Sequence, residues 1–114
     1  MDTKDKNIEE RINESSRLRE KYPDRIPIII KKARGCKLPE LEKNKYIVPN
    51  ETSFGQFIHV IRKRIKLNGE QSIFCFVNNT VLPTTTETCG ELYEKHKSDD
   101  GFLYVIYQGE NTFG

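Results

Sequence analysis

The spacing of apolar positions along this chain switches repeatedly between a helical and an extended period. Between residues 6 and 21 good helix formers dominate, with Ile8 and Ile12 four apart and Leu18 and Tyr22 four apart, each pair on one helical face. The pairs do not continue a single stripe, and Asn13 between them is a capping residue type, so the pattern predicts two short helices with a bend. Pro23 ends the second, because the residue before a proline is pushed out of the α region.

Arg25-Ile26-Pro27-Ile28-Ile29-Ile30-Lys31 is β-branched and bounded by charge, which predicts a strand. Pro27 has no N–H and belongs at the strand's beginning or beside an unpaired position. Residues 32–44 hold Gly35, Pro39 and scattered charge and read as a loop or hairpin connection. Lys45-Tyr46-Ile47-Val48-Pro49 is a second strand, and two strands each containing proline predict that one lies at a sheet edge.

Ser53-Phe54-Gly55-Gln56 is a capping box that opens a helix. Phe54, Phe57, Ile58, Ile61 and Ile65 form its apolar stripe, Arg62, Lys63, Arg64 and Lys66 turn outward, and Asn68-Gly69 supplies the stop. Ile73 to Val77 is a third strand followed by an Asn78-Asn79 turn. Thr88-Cys89-Gly90-Glu91 opens a short helix to about His96, and after the Asp99-Asp100-Gly101 turn Phe102 to Tyr107 reads as a central strand.

The order β-β-α-β, short helix, β predicts an α+β chain with a four-stranded mixed sheet crossed by one long helix, a β-grasp arrangement. The first two strands form a hairpin and the last lies beside the first. The expected organisation is an N-terminal helical extension over residues 1–24, the sheet domain over 25–107 and a flexible tail over 108–114.

A chain of 114 residues supports one core. A net charge of +2 is too mild for a protein that works through phosphate contacts, so no nucleic acid is expected as a partner. The basic run from Arg62 to Lys66 could hold phosphate or anionic lipid, or simply be the solvated face of its helix. Cys36, Cys75 and Cys89 are widely spaced and read as reduced thiols. Neither a signal sequence nor an apolar membrane span is visible. His59 and His96 have no partner that the sequence names, and no glycine-rich phosphate loop is present. No catalytic residue, cofactor or metal is therefore expected, and the chain reads as a binding module rather than an enzyme. Its polar tail ends in Gly114, and a glycine carboxylate has no Cβ to crowd an attacking group. Extended, such a tail reaches about 20 Å.

The runs Lys21-Tyr22-Pro23-Asp24-Arg25-Ile26-Pro27, Lys45-Tyr46-Ile47-Val48-Pro49, Gly55-Gln56-Phe57, Val60-Ile61-Arg62-Lys63-Arg64-Ile65, Phe76-Val77-Asn78-Asn79 and Asp100-Gly101-Phe102-Leu103-Tyr104, with Phe113-Gly114, carry a further signal. Together they closely resemble the autophagy ubiquitin-like modifiers, the group of the microtubule-associated light chain and GABA-receptor-associated proteins. The resemblance implies a ubiquitin-like β-grasp with two extra N-terminal helices. It also implies conjugation of Gly114 to phosphatidylethanolamine by an activating and a conjugating enzyme, with a cysteine protease for processing and deconjugation. The implied location is the cytoplasm, and autophagosomal or vesicle membranes once lipid is attached. The alternative is a docking module on vesicle or cytoskeletal partners that is never conjugated.

The resemblance further implies recognition of cargo receptors and adaptors through short aromatic-x-x-aliphatic motifs that add a strand beside Lys45 to Pro49. Carried over by position, Glu14, Leu18, Pro27, Lys45, Ile47 and Phe102 would receive the aromatic side chain. Tyr46, Val48, Pro49, Phe57 and Val60 would receive the aliphatic one, and Arg25, Lys43, Lys45 and Arg64 would meet flanking acidic groups. The chain departs from the family pattern at Thr52, where an aliphatic residue is usual, and at Cys75, where an aromatic is frequent.

Overall fold

The computed structural model describes residues 3–67, 72–78 and 81–109. Its elements are α1 (Thr3–Lys21), β1 (Arg25–Lys32), β2 (Lys45–Pro49), α2 (Phe54–Arg64), β3 (Ile73–Val77), α3 (Cys89–His96) and β4 (Leu103–Gly109). The strands form one sheet in the order β2-β1-β4-β3, with β1 and β4 parallel and the two outer pairs antiparallel. This is the expected mixed sheet, with the first strand joined to the second by a hairpin and lying beside the last.

Alternation along the strands sorts side chains onto two faces. Ile26, Ile28 and Ile30 of β1, Leu103, Val105 and Tyr107 of β4, and Cys75 and Val77 of β3 share a buried core with Phe54, Phe57 and Ile61 of α2. Each of the Ile, Leu, Val and Phe side chains among them contributes about 1.5–3 kcal/mol by leaving water. Capping boxes at Ser53 and Thr88 start α2 and α3 as their sequences imply. Pro27 faces Ile47 one residue before β1 begins to pair with β4 at Ile28 and Leu103, so its missing N–H costs the sheet no ladder bond.

The structure corrects the expected N-terminus. Residues 3–21 form one continuous helix instead of two with a bend. Asn13 is exposed in its middle, where a weak helix former costs only about 0.7 kcal/mol. The face turned to the sheet runs through Arg11, Ser15, Leu18 and Tyr22, while Ile8 and Ile12 are 37% and 39% exposed. Half of that stripe is polar, which is why apolar spacing did not reveal it.

Other ends move by a few residues. α2 stops at Arg64 with Ile65 as its cap, buried in the core, and Lys66 turns left-handed at φ 56. The expected stop at Asn68-Gly69 lies outside the described residues, as does Asn79 of the expected turn, whereas Asn78 takes a left-handed turn conformation at φ 53. β4 starts at Leu103 and continues through Gln108 and Gly109, which pair with Phe74 and Ile73. Of the expected tail, residues 110–114, Gly114 included, lie outside the described residues.

Candidate peptide-docking groove

Among the described residues β2 pairs only with β1, which leaves its other edge open. The Ile30 amide donates to the Asn44 carbonyl and the Asn50 amide to the Asp24 carbonyl, so even-numbered residues of this segment bond inward. By the alternation of an antiparallel ladder, the N–H and C=O groups of Lys45 and Ile47 point outward, whereas the Pro49 carbonyl already accepts from the Thr52 amide at 3.1 Å. An extended peptide can extend the sheet there through main-chain bonds.

The side chains divide to either side of that edge. Lys45 and Ile47 share a face with Pro27, and on the same face α1 brings Glu14 within 2.8 Å of Lys45 Nζ. Leu18, one turn further along α1, is half-buried. Phe102, 1% exposed, precedes Leu103 of β4 and by parity lies on this side too, as floor. Tyr46 and Val48 lie on the opposite face, packed against the core at α2, and the Tyr46 ring meets Phe57 edge-on at 6.1 Å. Phe57 is buried and forms a wall there, whereas Val60 is 42% exposed on α2. Burial raises the Tyr46 hydroxyl pKa and the Arg64 charge opposes the rise, so the phenol stays neutral at physiological pH.

The cations of the expected site do not form one cluster. Lys43 lies over the Tyr46 ring at 5.7 Å and, with Arg64, lines a recess of about 330 Å³ near the start of β2. Lys45 stands beside them in the strand, already paired with Glu14. Arg25 lies opposite Pro49 at the far end of β2, stacked on Tyr22 at 5.3 Å. Across five residues the two ends are about 13 Å apart.

A buried polar joint holds the α1 wall in place. The Asp100 side chain accepts from the Phe102 amide at 3.0 Å, from Arg11 Nε at 2.8 Å and from the Tyr104 hydroxyl. Ser15 Oγ donates to the Asp100 carbonyl at 2.7 Å, and the Tyr93 hydroxyl donates to the Gly101 carbonyl at 2.7 Å. Burial alone would raise the Asp100 pKa, but the Tyr104 hydroxyl, the Phe102 amide and the Arg11 guanidinium outweigh it and hold the carboxyl below its usual value. The Tyr104 hydroxyl is pushed up to about 12 by burial and by that carboxylate.

The family model for the autophagy protein Atg8, described as ubiquitin-like, matches residues 10–114. The chain belongs to the Atg8 ubiquitin-like family. It is 56% identical over 107 residues to autophagy-related protein 8a of Arabidopsis thaliana, covering 94% of this chain and 87% of that protein. Against autophagy-related protein 8A of Oryza sativa subsp. japonica the identity is 54%, covering 94% and 89%. The crystal structure of Trypanosoma brucei ATG8 superposes with a TM-score of 0.87 at 41% identity, covering 100% of both chains.

In this Atg8-family chain, sequence reasoning missed the joint. Asp100 and Gly101 were legible as a turn, and Arg11 and Ser15 only as part of a helical segment. The Asp-Gly pair before a strand was the available signal, but it gives no hint of a helix some 85 residues earlier in the chain. The structure adds Arg11, Ser15, Asp100, Gly101 and Tyr104 as residues that position Glu14 and Leu18 against β2.

Proposed function

We propose that this chain is a conjugated modifier that also docks short linear motifs. The open edge of β2, flanked on one side by Ile47, Pro27 and α1 and on the other by Tyr46, Val48 and α2, is the observation that carries the docking half. A peptide strand would bond to the outward groups of Lys45 and Ile47. Its aromatic side chain would enter on the Glu14, Leu18, Pro27, Lys45, Ile47 and Phe102 side. Three residues on, its aliphatic side chain would enter beside Tyr46, Val48, Pro49, Phe57 and Val60. Lys43, Lys45 and Arg64 would meet acidic groups ahead of the motif, and Arg25 those behind it. Cargo receptors and adaptors are the partners this chemistry suits.

The conjugation half rests on membership of the Atg8 family and on the match through Gly114. The Gly114 carboxylate would attack ATP and release pyrophosphate, a cysteine thiolate would displace AMP, and the amine of phosphatidylethanolamine would displace the thiol. Two acyl chains then hold on the bilayer a domain in which, among the described residues, no helix is long and apolar enough to cross a membrane. The chain would pass between cytoplasm and autophagosomal or vesicle membranes, with a cysteine protease reversing the bond.

Incubation with the activating and conjugating enzymes, ATP and phosphatidylethanolamine vesicles tests this half. The expected result is a mobility-shifted lipid form that Gly114→Ala abolishes. An unshifted chain defeats conjugation and leaves a docking module. Titration of an aromatic-x-x-aliphatic peptide tests the other half, and unchanged affinity in Ile47→Glu would defeat it.

A further inference from the structure

The fold gathers cations from separate parts of the chain at one end of the sheet. β1 and β4 run parallel, so the carboxyl end of β1, the last residues of β4 and the first residues of the antiparallel β2 and β3 all lie together. At this end Lys31, Lys32 and Arg34 line a recess of about 680 Å³ shared with Gln108 of β4. Near the start of β2, Lys63, Arg64 and Lys66 from the end of α2 line a second recess with Lys43. Lys31, Arg34, Lys37, Lys43, Lys63, Arg64 and Lys66 are all exposed. Among the described residues none of these is in an ion pair. Among the described residues the acids here are Glu40, held by Lys32, and Glu42 beside Lys43.

The opposite end is mixed. Asp24 precedes β1, Glu51 follows β2 and Asp99 and Asp100 precede β4, interleaved with Arg19 and Arg25. Among the described residues the charge is therefore uneven along the strands, although the net charge of the chain is only +2.

We infer that the cationic end is a contact surface for anionic phospholipid headgroups, which orients the domain on the membrane with the end of β4 facing the bilayer. The inference rests on the proposed conjugation for one point, that the chain beyond Gly109 leads to the lipid. Complementary charge argues for the occupant, because a flat anionic leaflet can meet dispersed cations that no single carboxylate could satisfy. Each lysine or arginine brought to such a surface strengthens association roughly fivefold. The attraction extends only about a Debye length, some 10 Å in ordinary salt, so it acts on a domain already held close by its tail.

The test uses the unconjugated full chain, floated at low ionic strength with vesicles of phosphatidylcholine alone or mixed with phosphatidylserine. Binding is expected only with phosphatidylserine, and it should fall steeply as salt is added. The combination Arg34→Gln, Lys63→Gln, Lys66→Gln should weaken it on the order of a hundredfold. Removal of the same charge at the other end, by Lys21→Gln, Lys95→Gln, Lys97→Gln, should weaken it less than fivefold. No binding, equal binding to both vesicles, or equal losses in the two triple variants would overturn the inference. The lipid mobility shift is read separately. Its loss with phosphatidylserine binding intact counts against conjugation alone, and its retention without that binding counts against the oriented contact alone.

Discussion

Ser15 Oγ lies 2.3 Å from where a Cβ on Gly101 would stand, and Gly101 holds φ at +86. The helix that walls the groove is thus seated on a glycine that admits no side chain. Gly101→Ala should cost about 1–3 kcal/mol through backbone strain and the clash with α1. Urea unfolding reads the cost. Amide exchange in α1 should accelerate more than in β1, because the joint holds the helix and not the sheet. Motif affinity should fall along with α1 docking.

The same joint gives α1 a pH dependence. Asp100 is held below its usual pKa in the folded chain, so its contribution is fully present above the unfolded value of about 3.9 and is lost as pH falls through the lower folded value. Stability should therefore drop below pH ~4 in the native chain. Asp100→Asn should be less stable at pH 7 by about 1–3 kcal/mol, with the gap closing toward acid. Denaturation midpoints measured across acid pH check both signs.

The ladder alternation separates two proline substitutions that sequence would treat alike. At Ile47 the N–H points outward, so Ile47→Pro should spare the pairing with β1 and abolish motif binding. At Val48 the N–H bonds inward, so Val48→Pro should cost about 3 kcal/mol or more. Comparing unfolding with peptide titration for the two variants tests the register.

Burial pushes the thiols of Cys75 and Cys89 up to about 12. Neither should react with a disulfide reagent at neutral pH in the folded chain, and both should react once denatured. Rapid labelling of either thiol in the native chain would contradict their place in the core.

Much of this protein was legible in one dimension. Ser53 with Gln56 and Thr88 with Glu91 state their helix starts through reciprocal side-chain bonds three residues apart. The stripe from Phe54 to Ile61 states which face of α2 is buried, and β-branched runs bounded by charge state the strands. These signals are local, because the interactions that produce them span only a turn or a pleat. The mixed sheet followed from element order, since two adjacent strands close by a hairpin.

Four features were decided only in three dimensions. They are the single N-terminal helix, the Ser15 and Asp100 joint, the separation of Arg25 from Lys43 and Arg64, and the cationic end. The joint and the cationic end depend on residues far apart in sequence that the sheet register brings together. A polar helix face such as Arg11 and Ser15 has no apolar period to betray it, and its partner Asp100 arrives from the turn before β4. Hydrogen bonds and charges act at the distances the fold creates, so local composition could name those residues but not pair them.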